Sequence, residues 1–88
     1  MRQVVDLARL FGWDFIYHPV LSKWSEHGWP DLFLARVRDQ RFMWAELKSE
    51  RGKLTGRQAE VIDLLRDCGA LVCVWRPSDL DTIAEVLR

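Results

Sequence analysis

The sequence has few cysteines and no long apolar run, and each absence excludes a class of protein. Its two cysteines, Cys68 and Cys73, lie close together beside apolar residues. We interpret both as buried, reduced thiols of a cytosolic protein rather than as a disulfide or a metal site. No apolar run approaches the length of a membrane span. Charged residues interrupt the apolar stretch of residues 1–12, which excludes a signal peptide, so we expect a cytoplasmic protein with no membrane contact.

The chain also lacks net charge, but its charges are unevenly distributed. Residues 36–57 hold seven basic and three acidic side chains, whereas residues 1–35 carry a net charge of −1 and residues 58–88 carry −3. A basic central segment in a neutral chain either presents a local anion-binding face or forms a solvated loop and turn. Charge alone leaves both interpretations open.

The 88 residues suffice for one small domain with one core, and we expect residues 1–88 to form it. Apolar spacing and turn residues predict helix, strand, strand, strand, helix, strand, helix. The predicted positions are a helix with Val4, Leu7, Ala8 and Phe11 on one face and Gly12 at its end; strands at 13–18, 31–37, 41–47 and 70–75; a helix from Thr55 to Gly69 with Val61, Leu64, Leu65 and Cys68 on one face; and a last helix capped by Ser78 with Leu80, Ile83, Ala84 and Leu87 on one face. The order αβββαβα predicts an α/β fold with one mixed sheet flanked by helices.

Residues 28–48 are mostly apolar strand in prediction, yet Asp31 stands at the start of this stretch and Glu46 and Lys48 stand at its end. Glu46 and Lys48 are two residues apart on a predicted strand, so they point to the same face. Asp31 begins the preceding strand of the predicted hairpin, and the start of one hairpin strand lies beside the end of the next. We therefore expect the carboxylates of Asp31 and Glu46 to converge.

Two convergent carboxylates are suited to a hard cation such as Mg²⁺ or Mn²⁺, to which the backbone carbonyl of Leu47 could add a further oxygen. A metal ion there could polarise a phosphodiester and lower the pKa of a bound water. Lys48 could orient the attacking water or stabilise the charge that develops on phosphorus. Each motif alone is also typical of an ordinary turn or a solvated ion pair; their combination in one hairpin favours a site.

Specific motifs then support a resemblance to a known family. The run from Gly28 to Leu32, GWPDL, followed by Glu46-Leu47-Lys48 within αβββαβα, resembles the PD-(D/E)XK nuclease superfamily. The segments ELKSERGKLTGRQ (46–58) and VWRPSDLDTIAEVL (74–87) are similar to one branch, the virus-type replication-repair nuclease or VRR-NUC domain. The similarity runs from Val4 to Leu87 and implies metal-dependent cleavage of DNA. Stand-alone, phage-type members resemble homodimeric Holliday-junction resolvases, and larger members cut flaps.

The resemblance also implies roles for individual residues. Asp31 and Glu46 correspond to metal ligands, Lys48 to the catalytic lysine, and Gln58 to a glutamine that faces the site. Gln58 is equally explained by a capping box with Thr55, and both roles can hold together.

One feature of the family is missing from this sequence. The family often carries a glutamate on the first helix shortly before a glutamine resembling Gln3, and Met1-Arg2-Gln3 leaves no such position. Asp6, the remaining acid of this helix, could face the site or solvent.

Basic and polar residues around the two motifs are candidates for contacts with DNA phosphates, although ordinary surface charge explains them as well. These candidates are Lys23, Ser49, Arg51, Lys53 and Arg57. In the loop before Asp31, Trp24 could stack on DNA or pack at an interface, and His27 is a weak candidate for a base. Among the five tryptophans, we expect Trp13, Trp24 and Trp29 to form a subunit interface; the alternative is that all five pack in one core.

The sequence thus predicts a metal-dependent endonuclease that acts on branched DNA as a homodimer, most simply a Holliday-junction resolvase, with no small-molecule cofactor. The alternatives are a DNA-binding module with a degenerate nuclease site and a flap-type nuclease. A purely structural homodimer would leave the acids in the apolar stretch without explanation.

Overall fold

A computed structural model describes residues 2–19 and 27–88, and its elements follow the predicted order. They are α1 (Arg2–Leu10), β1 (Phe15–Tyr17), β2 (Leu32–Arg36), β3 (Arg41–Leu47), α2 (Gly56–Asp67), β4 (Val72–Trp75), a short 3₁₀ turn (Pro77–Asp79) and α3 (Leu80–Leu87). This confirms the α/β fold. β1, β2 and β4 are shorter than the sequence predicted, whereas β3 has the predicted ends.

The four strands form one mixed sheet in the order β1-β2-β3-β4. β2 and β3 are an antiparallel hairpin in which Leu32 pairs with Ala45 and Arg36 with Arg41. The turn between them places Gln40 at a positive φ of 54°. β4 lies parallel to β3, which requires the crossover through α2.

Strand alternation divides the sheet into two faces, one of which carries the main core. Leu32 and Leu34 of β2 and Met43 and Ala45 of β3 point to this core face and are fully buried. α1 and α3 pack on these strand residues. The helix residues in the core belong to the apolar faces that the sequence predicted for α1 and α3. The core members from outside β2 and β3 are Val4, Ala8, Trp13, Trp75, Ile83 and Leu87.

Trp13 belongs to this core, and the prediction that it lies at a subunit interface has no support in the structure. It is 5% exposed, and its indole N–H donates to the carbonyl of Leu87 at 2.9 Å. The guanidinium of Arg36 lies 4.7 Å from its ring centroid. Trp24 lies outside the described residues, and Trp29 is 37% exposed.

The buried face of α2 differs from the predicted one. Val61 and Ile62 are buried, whereas Leu64 is 64% exposed and Cys68 is exposed. α2 lies against β4, where Arg66 donates two hydrogen bonds to the carbonyl of Val72, at 3.2 and 2.8 Å. The position of β4 relative to α2 decides which face of α2 is buried. The apolar spacing within α2 does not determine that position.

Two further predictions are corrected at the ends of elements. The cysteines are free thiols, as predicted, but Cys68 is exposed and Cys73 half-buried rather than both buried. Ser78 does not cap α3; it lies in the 3₁₀ turn, where its backbone N–H and hydroxyl donate to the carboxylate of Glu50. Ile83 and Leu87 are buried as predicted, but Leu80 is 37% exposed.

Candidate active site

Asp31 lies directly before β2 and extends the hairpin by one side-chain contact. Its Oδ2 accepts a hydrogen bond from the backbone N–H of Leu47 at 2.9 Å. The carboxylate thereby lies at the end of β3, where Glu46 and Lys48 were predicted to meet it. The convergence follows from the hairpin register, in which Leu32 pairs with Ala45.

The segment that leads into Asp31 is held close to the start of α2. Gly28 has a φ of 83°, and a Cβ there would lie 2.8 Å from the carbonyl oxygen of Arg57. Only glycine tolerates both this conformation and this close approach. Gly28 therefore sets the path of the GWPD segment between the sheet and α2.

Glu46 is the most unusual side chain of the site, because it is a carboxylate that is only 2% exposed. Its Oε2 accepts a hydrogen bond from the side-chain amide of Gln58 at 3.0 Å. Its Oε1 is buried and has no hydrogen-bond partner among the described residues. An unpaired buried carboxylate oxygen costs stability, so Oε1 is an acceptor available to a further group.

The surroundings of Glu46 favour its protonated form. Burial, and then the nearby negative charge of Asp31, raise the pKa of the Glu46 carboxyl to about 7. Lys48 acts in the opposite direction but does not cancel the effect. The group therefore takes up or releases a proton near neutral pH, which is typical of a functional carboxylate.

Lys48 forms the cationic side of the site, as predicted. Its Nζ lies 3.8 Å from Oε2 of Glu46, and its side chain is 17% exposed. Its backbone N–H donates to the carbonyl of Trp75 at 2.9 Å, which extends the β3–β4 ladder by one residue. This backbone hydrogen bond to β4 fixes Lys48, the first residue after β3, at the edge of the site.

Gln58 makes the contacts that both of its possible roles require. The side-chain Oε1 of Gln58 accepts from the backbone N–H of Thr55 at 2.9 Å. In return, the backbone N–H of Gln58 donates to the hydroxyl of Thr55 at 3.1 Å. These two bonds form the capping box of α2. The remaining amide N–H₂ group points to Glu46. One side chain therefore caps the helix and donates to the buried carboxylate.

The two roles of Gln58 can be separated by comparing two variants. Thr55→Ala removes half of the capping box and leaves the bond to Glu46. We expect it to lower the free energy of unfolding by about 0.5–2 kcal/mol and to leave the cleavage rate nearly unchanged at a permissive temperature. Gln58→Ala should cause a similar loss of stability and, in addition, a roughly 10–100-fold loss of metal affinity or cleavage rate. Thermal melts and single-turnover cleavage measure both effects. Equal cleavage rates for the two variants would leave Gln58 with the cap alone.

The basic loop, residues 48–55, follows the site and contains three of the predicted phosphate contacts. Ser49, Arg51 and Lys53 are all exposed. The loop is anchored at Glu50, which accepts hydrogen bonds from Ser78, and at Gly52, whose carbonyl accepts from Arg76. Sequence analysis missed this anchoring, because Glu50 and Ser78 are far apart in the chain and neither belongs to a local motif.

The remaining candidates have different positions. Arg57 is exposed at the start of α2, where it donates to the backbone carbonyl of His27 at 3.3 Å and lies 3.4 Å from Glu60. The side chain of His27 is exposed. Lys23 lies outside the described residues. Asp6 is exposed on α1, so of its two predicted orientations the structure supports the one toward solvent.

The donor set fits a divalent cation bound by two carboxylates. Asp31 and Glu46 present oxygen atoms at one strand end, and the unpartnered Oε1 of Glu46 supplies a free acceptor. Within the described parts of the chain, no three His, Cys, Asp or Glu side chains are grouped to share an ion. Waters, phosphate oxygens or the carbonyl of Leu47 would have to complete the shell of such an ion.

A buried carboxylate, a second acid and a lysine at one end of a mixed sheet define a hydrolase-like site on an α/β fold. Residues 16–79 match the family model of the VRR-NUC domain. This match covers well over half of the chain, so the protein belongs to the VRR-NUC family and is a nuclease that acts on DNA. Searches of curated proteins and of solved structures found no match. Over the described residues, no helix has the length and apolar character needed to cross a membrane.

Proposed function

We propose that the protein is a metal-dependent endonuclease that hydrolyses phosphodiester bonds in branched DNA. The observation that carries the proposal is the buried Oε1 of Glu46, which has no hydrogen-bond partner among the described residues although a second carboxylate lies nearby. Without a cation, a proton shared with the neighbouring Asp31 would have to compensate the burial of this carboxylate, and that proton is lost as the pH rises above about 7. A cation held between Asp31 and Glu46 would satisfy Oε1.

Asp31 and Glu46 would hold Mg²⁺ or Mn²⁺, and the carbonyl of Leu47 is a candidate for a further ligand. When bound, the ion would supply Lewis-acid polarisation of the phosphate and a lowered pKa for a coordinated water. Glu46 must be ionised to act as a ligand, so its proton has to leave as the ion enters.

The chain's own residues position the reacting groups. Gln58 donates to Oε2 of Glu46, so Oε1 would be the oxygen available to a bound ion. Lys48, which follows β3 and is bonded through its backbone N–H to Trp75, would orient the attacking water or stabilise the negative charge on phosphorus as the bond to the leaving oxygen breaks. The exposed cations Arg51 and Lys53 of the basic loop, and Arg57 beside it, bind flanking phosphates.

Holliday-junction resolution is the most specific form of this proposal. A junction presents two equivalent strands related by a two-fold axis, and a two-fold dimer of an 88-residue chain would present two sites with the same symmetry. Cleavage of flaps by a single protomer is the second candidate. A DNA-binding module with an inactive site is the third, and the two carboxylates and one lysine that meet at the site count against it.

Substitution of the site residues tests the nuclease proposal. Asp31→Asn and Lys48→Met should each lower metal-dependent cleavage by more than about 100-fold, because they remove a ligand or the charge that stabilises the transition state. Junction, flap, single-stranded and duplex DNA form the substrate panel. Arg38→Met, an exposed substitution on the β2–β3 turn, serves as the control and should keep wild-type activity. Cleavage by Asp31→Asn at the wild-type rate would contradict the site assignment.

Metal affinity provides an independent test. Mg²⁺ gives up its water ligands reluctantly, and two carboxylates replace fewer of them, with less negative charge, than three would. We therefore expect dissociation constants for Mg²⁺ well above the micromolar range in DNA-free protein. Isothermal titration calorimetry measures this affinity, with Asp31→Asn as the control that should bind more weakly still. Sub-micromolar Mg²⁺ binding would point to an additional acidic ligand.

A further inference from the structure

The sheet face opposite the main core carries a continuous group of aromatic rings, which we call the aromatic face. It is formed by Phe15, Tyr17, Trp29, Phe33, Phe42 and Trp44. Strand register places its strand residues side by side: Phe15 pairs with Ala35, Tyr17 with Phe33, and Phe33 with Trp44. Two-residue alternation then points all of these side chains away from the α1 and α3 core.

Ring contacts connect all six members. Phe33 is central: its centroid lies 6.1 Å from that of Phe15, 6.2 Å from that of Phe42 and 4.7 Å from that of Trp44. Phe15 also stacks on Tyr17 at 6.0 Å, and Trp44 meets Trp29 edge to face at 4.9 Å. The rings therefore form one preordered surface rather than scattered exposed residues.

Much of this surface remains open to solvent. Phe42 is 62% exposed, Phe15 52% and Tyr17 50%, and Val37 at the edge of the face is 76% exposed. With about 150–250 Å² for each aromatic side chain, these exposures leave roughly 400–500 Å² of apolar area. A patch of this size is at the upper end of what a monomer usually exposes, and such patches commonly mark an interaction site.

The chemistry of the aromatic face favours a protein partner over a nucleic acid. Of the described strand residues that point to this side, the charged one is Glu46, which is buried at the far end beside the active site. Stacking surfaces for single-stranded DNA combine aromatic rings with a basic groove that follows the backbone. The exposed cations Arg51 and Lys53 lie instead on the basic loop beyond the end of β3. An uncharged, aromatic centre is typical of the core of a subunit interface.

We infer that the aromatic face is the surface through which two copies of this chain associate. In an isologous interface both subunits contribute the same patch, and a face without charge can meet its own two-fold mate without like-charge repulsion. A stable interface buries about 800 Å² on each partner, so the aromatic face supplies the apolar half of it and a polar rim supplies the remainder. The interface thus lies on β1, β2 and β3, not at Trp13, where the sequence had placed part of it.

The aromatic face is where the two protomers of the dimer in the proposed function would meet. The association itself does not depend on nuclease activity, but its role in paired cleavage rests on the proposed function. Trp44 of the aromatic face and Glu46 of the site are two residues apart on the same side of β3. Association through this face therefore fixes the distance between the two active sites of a dimer. Loss of the interface should uncouple the paired cuts in a junction without removing the chemistry of each site.

The test compares two substitutions that introduce the same charge into exposed apolar positions. Phe42→Lys lies in the aromatic face, and Leu64→Lys lies on α2, where the side chain is 64% exposed. Sedimentation equilibrium at micromolar concentration should give wild type and Leu64→Lys a mass of about 21 kDa, twice the 10.4 kDa of one chain. Phe42→Lys should weaken association by at least about 100-fold, because each dimer buries the new charge twice. Phe15→Lys repeats the test on β1, and circular dichroism checks that each variant is folded.

Cleavage assays distinguish a failure of this inference from a failure of the proposed function. Folded Phe42→Lys should still nick a DNA with one cleavable strand, but it should lose simultaneous cleavage of both strands in a junction. A wild-type dimer without any cleavage would retain the interface and end the nuclease proposal for this chain. A wild-type monomer, or a dimer that survives both substitutions, would overturn the interface. A monomer whose affinity for single-stranded DNA falls in Phe42→Lys would overturn it in favour of base stacking.

Discussion

Replacing Glu46 with glutamine should abolish cleavage and at the same time stabilise the metal-free protein at alkaline pH. The carboxylate is 2% exposed, one of its oxygens has no partner among the described residues, and its pKa is raised to about 7. Above that pH the folded protein must keep a buried negative charge beside Asp31. An amide at this position keeps the acceptor for Gln58 and removes the charge.

The pH dependence of this effect has a definite sign. Unfolded Glu46 loses its proton near its ordinary pKa of 4.5, whereas the folded group holds its proton until about pH 7. Between these values the folded state binds more protons, so its stability falls as pH rises and then levels off above pH 7. Glu46→Gln should resemble wild type near pH 4.5 and exceed it at pH 8 by an amount on the order of 1–3 kcal/mol.

Denaturant unfolding in the presence of a chelator measures this difference at pH 5 and pH 8. Addition of Mg²⁺ should then raise the stability of wild type, because the ion binds the folded state, and should leave Glu46→Gln nearly unchanged. Arg38→Met, an exposed change away from the site, is the control and should keep the wild-type response to Mg²⁺. Cleavage of DNA by Glu46→Gln, or a lower stability of Glu46→Gln than of wild type at pH 8, would contradict the role of Glu46.

Replacing Arg36 with methionine should be the most destabilising single change away from the site. Arg36 is 2% exposed and occupies the corner where β2 meets the end of α3. Its guanidinium donates to both oxygens of Asp39 at 2.9 and 2.8 Å, and to the carbonyls of Phe11, Leu87 and Arg88 at 2.9–3.1 Å. These hydrogen bonds also hold the pKa of the Asp39 carboxyl below its ordinary value.

Methionine would fill part of the space but would remove the donor to the carbonyls of Phe11 and Arg88 and would leave Asp39 with only the longer ion pair to Arg41. The carbonyl of Leu87 would keep its hydrogen bond from the indole of Trp13. Loss of the charged donor from this partly buried network costs about 1.5–3 kcal/mol, which for a domain of this size lowers the melting temperature by more than about 6 °C. Arg38→Met, an exposed change two residues away, should shift it by at most a few degrees. A melting temperature of Arg36→Met within 3 °C of wild type would show that water replaces the lost donors.

Arg36 also illustrates why sequence patterns failed at this corner. An arginine at the end of a predicted strand is normally solvated, and nothing in its neighbourhood announces burial. Its acceptors come from the end of α1, the β2–β3 turn and the end of α3, and they meet only after the sheet is covered. The burial of Trp13 has the same origin, since its ring contacts Arg36 and its N–H bonds to Leu87.

The amino-acid sequence by itself determined the features that depend on local geometry. Two-residue alternation places Glu46 and Lys48 on one side of β3, and the short turn between β2 and β3 brings Asp31 to that end of the sheet. The T-x-x-Q pattern of residues 55–58 sets the start of α2 through backbone groups only three residues away. Sequence patterns predict such features correctly because the interacting residues are close in the chain or are joined by a short turn.

Tertiary structure decided the properties that depend on distant partners. The raised pKa and unpartnered oxygen of Glu46 arise from burial between β3 and α2, and the anchoring of the basic loop arises from Glu50 meeting Ser78. The same packing leaves Phe42 and its neighbours open while it buries Val61 and Ile62 of α2. The burial of a side chain depends on contacts from many segments of the chain. The periodicity of apolar residues within one segment therefore cannot predict it.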